Sequence, residues 1–123
     1  YRGWLYHVDE FVSDDLLLNV VSMADVAVFA HKSAVLSQSG SAALACACGV
    51  PIVRMENPMM SQYPGISIGW GRVNDMFAAI RQVVQDRGTY EHFRKESLAW
   101  AEKSRPEALA GAYLDLYRAL LVA

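Results

Sequence analysis

Residues 37–53 read SQSGSAALACACGVPIV. A polar, glycine-bearing loop passes into a helix of small residues, then a Gly-Val-Pro turn and an apolar strand. Ser39 suits a helix N-cap, because its hydroxyl can accept an N–H that the first turn leaves unpaired. The helix is expected over residues 40–48, with Gly49 as its stop. The strand follows over residues 50–55 (VPIVRM), with Pro51 at its entrance, where a missing N–H is tolerated. Before the loop, residues 26–30 (VAVFA) form a continuous apolar run, which suits a strand covered on both faces in a parallel sheet. Strands alternating with helices in this order predict an α/β fold.

Working outward, residues 4–8 read as an aromatic-rich strand followed by Asp9 and Glu10. Ser13 caps a helix that ends at Asp25. Asp14 and Asp15 in its first turn favour the positive end of the dipole, and Leu17, Val20, Val21 and Ala24 recur as a buried face. Residues 56–65 (ENPMMSQYPG) form a loop in which Met59, Met60 and Tyr63 tuck onto the core or line a partner surface. Residues 66–68 form a short strand. Asn74 is expected to cap a helix over 75–85, with Met76, Ile80 and Val83 or Val84 on one face. Gly88 then breaks the chain before a helix over 90–102. Ser104, Arg105, Pro106 and Glu107 spell a capping box with proline at the first helical position. The last helix, 106–121, carries the stripe Leu109, Tyr113, Leu116 and Leu120, read as core. The expected architecture is a three-layer Rossmann-like half domain with about three or four parallel strands and a helical C-terminus.

The 123 residues make one domain, spanning 1–123, and 54% hydrophobic against 20% charged residues excludes a disordered chain. Net charge is -2 with both signs mixed, which argues against nucleic acid as the main partner. No apolar run is long enough for a transmembrane helix, and no secretory leader is visible. Cys46 and Cys48 stand two apart within a helix, where they point in different directions and cannot bridge, and they lack zinc or redox spacing. They read as buried free thiols, which fits a reducing, cytoplasmic setting. A strand beginning almost at Tyr1 reads as a piece of a longer protein.

FVSDDLLLNVVSMADVAVFA, then SGSAALACACGVPIV, an amphipathic helix and AYLDLYRALL together resemble the C-terminal part of the nucleotide-sugar-binding domain of GT-B fold glycosyltransferases, closest to the retaining family 4. The resemblance implies transfer of a sugar from a nucleotide-diphosphate donor to an acceptor, without a cofactor or bound metal. It also implies an N-terminal acceptor domain and a diphosphate-binding basic pair that this chain lacks, so the chain alone is expected to be inactive. Counted back from Gly49, two glutamates of the family's donor site fall on Leu36 and Leu44, which cannot accept a hydroxyl hydrogen bond.

The residues alone also support a phosphate site. The first N–H groups of a helix lack internal partners and carry the dipole's positive end. Gly40 permits close approach, and Ser39, Ser41 and Gln38 offer polar contacts. The loop follows a strand, at the carboxyl edge where open α/β sheets bind ligands. His31 and Lys32 stand just past that strand; Arg54, Glu56 and Asp9 border the same edge as candidate rim residues. The competing reading makes Ser39 a plain N-cap, Gly40 a packing glycine and the charged residues solvated. The glycine spacing of a P-loop or dinucleotide fingerprint is absent, and so is that of a nucleophile elbow around Ser39. A second function class is a non-catalytic module acting through protein contacts, including a homodimer through an exposed sheet edge. A third is a flavodoxin-like signalling domain, suggested by Asp9, Glu10, Asp14 and Asp15.

Overall fold

The computed structural model describes residues 7–30 and 39–121. Their elements are α1 (Asp14–Ser22), β1 (Ala27–Phe29), α2 (Gly40–Ala47), β2 (Ile52–Met55), a 3-10 turn (Pro58–Gln62), β3 (Ile66–Ile68), α3 (Val73–Gln85), α4 (Arg87–Lys103) and α5 (Pro106–Leu121). The strands form one parallel sheet in the order β1-β2-β3. The fold is α/β with a short parallel sheet and a helical C-terminus, as the sequence predicts.

Strand alternation explains the layers, because successive side chains of β2 point to opposite faces. Ile52 joins Phe29, Ala42, Cys46, Met60 and Tyr63 beneath α2 and α4, whereas Val53 and Met55 join Ile68, Met76, Ala79 and Val83 beneath α3. All four β2 residues are buried. The small residues of α2 allow it to lie close: Ala42, Ala45 and Cys46 are buried, Cys48 is half-buried, and both thiols are free. Gly49 leaves the helix at φ 69°, a left-handed turn that glycine takes without steric cost, and the chain enters β2.

The strand expected at residues 4–8 falls mainly outside the described residues; His7 and Val8 belong to no strand. Ser13 caps α1 through Leu16 N–H, but the helix stops at Ser22 and buries no residue fully. Val21 and Ala24 touch the core, whereas Leu17 and Val20 are exposed, because nothing among the described residues covers that side. Among the described residues, β1 is likewise covered on one face only. α3 shields β2 and β3 but leaves Val28 44% exposed.

Hydrogen bonding corrects the expected helix boundaries. α3 begins two residues early, with Arg72 rather than Asn74 as N-cap; the Arg72 carbonyl accepts from Asp75 and Met76, and its side chain ion-pairs with Asp75. Gly88 breaks nothing. Asp86 caps α4 by accepting from Gly88 and Thr89 N–H, so Gly88 lies inside the first turn. Ser104 closes α4 instead of opening a capping box, although α5 does start at Pro106. The stripe of α5 is not core: Leu109, Tyr113, Leu116 and Leu120 are all about half exposed or more.

Candidate functional site

Because β1 and β2 are parallel, the connection between them must return the chain across the sheet. α2 does so, and its N-terminus therefore lies at the carboxyl edge. Ser39 is extended there (φ -114°, ψ 107°), and its hydroxyl accepts from Ala42 N–H at 3.3 Å. Its carbonyl accepts from Ala43 at 3.0 Å, and the Ser39 and Ser41 hydroxyls lie 3.3 Å apart. The N–H groups of Gly40 and Ser41 precede this ladder and find no acceptor among the described residues. Gly40 is not a packing glycine, since a Cβ added there would meet nothing within 4 Å. Gly40 and Ser41 are exposed at this helix start, whereas Ser39 is buried.

Tyr63, which the sequence assigns to the core or to a partner surface, fixes this start. It is 3% exposed. Its hydroxyl donates to the Ser39 carbonyl at 3.0 Å and accepts from Ser39 N–H at 3.2 Å. Its ring lies 4.8 Å from that of Trp100. The only local signal is an aromatic residue ahead of Pro-Gly, and a contact across 24 positions leaves no pattern in a sequence. Met59 and Met60 on the same loop are buried, so they line the core.

Arg54 corrects the rim expectation. It projects from β2 towards the α2 side and is 9% exposed. Its Nη1 donates to Ser67 Oγ at 2.9 Å and its Nη2 to the Tyr63 carbonyl at 3.3 Å. The Nε finds no acceptor among the described residues. Burial holds the guanidinium below the usual arginine pKa, partly opposed by the charge of Glu56. Arg54 is therefore an internal strut that holds the Tyr63 segment against β3. Glu56 is exposed just beyond the strand, with its N–H bonded to the Ile68 carbonyl at 2.7 Å.

The structure brings together Ser39, Gly40 and Ser41, with Arg54 linked to them through Tyr63. Asp9 is exposed in an irregular stretch, and nothing among the described residues links it to this cluster. His31, Lys32, Leu36 and Gln38 lie outside the described residues, while Leu44 is half-buried in α2. Asp14 and Asp15 sit in the first turn of α1, where the helix dipole accounts for them. Among the described residues no group of three or more His, Cys, Asp or Glu could hold a metal ion, and no helix is long and apolar enough to cross a membrane.

Beside the helix start a groove of about 550 Å³ runs between α2, α4 and the beginning of α5, bordered by Gly40, Ala47, Trp100, Arg105 and Leu109. A three-stranded parallel sheet with helices on both faces and an open helix start at its carboxyl edge defines the class: a Rossmann-like half domain. No protein-family model matches the sequence, and no curated protein matches it significantly.

Proposed function

We propose that the chain is the nucleotide-sugar-binding portion of a GT-B glycosyltransferase, with the donor diphosphate held at the start of α2. One observation carries the reading: Gly40 and Ser41 are exposed at the start of α2, at the carboxyl edge of a parallel sheet, and their N–H groups have no acceptor among the described residues. An anion there meets two directed donors and the positive end of the dipole. In the parent reaction this contact would stabilise the leaving diphosphate as its charge develops. Leu44, half-buried behind the site, offers no hydrogen bond to a sugar, so orientation of the sugar falls to other groups.

The test is an amide-resolved titration of the chain with UDP, GDP and their sugar conjugates. Weak binding that shifts the Gly40 and Ser41 amides is expected. Saturation without any change at those two amides would reject the site.

A second reading, an interaction module without catalysis, is favoured by the uncovered apolar side chains of α1, β1 and α5. Large exposed apolar faces mark association surfaces in soluble proteins.

A further inference from the structure

The groove beside Trp100 starts at Ser39 and Gly40 and extends past them along α4 to the beginning of α5. Its volume of about 550 Å³ falls within the range of sites that enclose small organic ligands. One wall is α2, where Ala43 and Ala47 are one turn apart and their small side chains leave the trough open. The opposite wall is the Trp100 ring, backed by Tyr63, with Leu109 of α5 continuing the apolar lining. Arg105 stands at the α5 end. Its Nε pairs with Glu102 at 2.9 Å, and the side chain is 63% exposed. Both Nη groups are without a partner among the described residues. Glu102 and Glu107 are the neighbouring carboxylates in sequence, and only Glu102 engages the guanidinium.

An apolar trough ending in a guanidinium with a free edge selects for two properties in one ligand. The body must be apolar to displace water from Ala43, Ala47, Trp100 and Leu109. The end must be an anion that can accept two parallel hydrogen bonds, which phosphate does with arginine. We infer that the groove binds an anionic amphiphile, a phosphate monoester of an apolar chain, with the phosphate on the Arg105 Nη groups and the chain along α2. The groove meets the start of α2 at Ser39 and Gly40, but the inference rests on Trp100 and Arg105 and is tested apart from the glycosyltransferase reading.

The experiment titrates the full chain with octyl phosphate below its micelle concentration, with inorganic phosphate and octanol as head-only and chain-only arms. Calorimetry gives affinity, and the Trp100 indole signal gives location. Octyl phosphate is expected to bind at least about tenfold more tightly than either arm, the equivalent of one charge-assisted contact. Arg105→Gln should reduce its affinity towards that of octanol. Ala47→Leu should block binding while the melting temperature is kept, because position 47 is exposed. Equal affinity for octanol and octyl phosphate would overturn the inference. So would undiminished binding to Ala47→Leu, a response at the Gly40 and Ser41 amides without one at Trp100, or no saturable binding at all.

Discussion

Ser39 keeps its extended N-cap geometry because a tyrosine from another part of the chain grips both its backbone groups. Tyr63→Phe removes that grip and leaves a buried N–H and carbonyl without that partner. The expected cost is about 1–3 kcal/mol, read from urea denaturation of wild type and variant. Amide exchange at Ser39 and Gly40 should rise more than in the α3 core. Cys46 makes a different kind of prediction. Burial pushes its thiol pKa up to about 11, with a hydrogen bond from Ser97 opposing in part. The fold therefore favours the neutral thiol, while the unfolded chain ionises near the ordinary cysteine value. Stability from this residue is complete at neutral pH and is lost as pH rises from about 9 towards 11. Comparing melting temperatures of wild type and Cys46→Ala from pH 8 to 11 isolates it: the wild type should lose its margin over that window. Cys48, half-buried, should react with thiol reagents first.

At the scale of elements, the turn into β3 depends on Gly65. Its φ of 134° is a conformation that side-chain-bearing residues rarely adopt, and a Cβ there would strike the Ile52 carbonyl oxygen. Gly65→Ala should destabilise by about 3 kcal/mol or more, from backbone strain added to steric displacement of β2. Calorimetric unfolding would register it as a large drop in melting temperature. Gly71→Ala is the control, since its φ is also positive but its Cβ would meet open space. It should cost less. Element order is legible from local signals: apolar runs, Gly49 and Pro51 mark α2 and β2, and Ser13 marks α1. The errors cluster where a tertiary partner or a competing cap decides. Asn74 has cap chemistry, but Arg72 closes the first turn of α3; Gly88 looks like a breaker, yet the Asp86 carboxylate holds it within α4.

For the whole molecule, the decisive feature is the uneven coverage of the sheet. α2 and α4 bury one face and α3 most of the other, but Val28 is 44% exposed, no described strand pairs with the outer edge of β1, and α1 and α5 display leucines. Sedimentation velocity over a wide concentration range is expected to show self-association, and Val28→Lys should weaken it by placing a charge on the open strand. A strict monomer at every concentration would count against the interaction-module reading and leave the donor-site reading untouched.

Composition, periodicity and turn residues determined by themselves that this is an α/β chain with a parallel sheet and a capped small-residue helix after the apolar strand at residues 26–30. Those are local properties, set by side-chain spacing and backbone freedom within a few residues. The tertiary structure alone decided that Tyr63 clamps Ser39, that Arg54 is an internal strut, and that the α5 stripe faces outward. Each depends on what lies across the fold from a side chain, and sequence spacing carries no record of that neighbour.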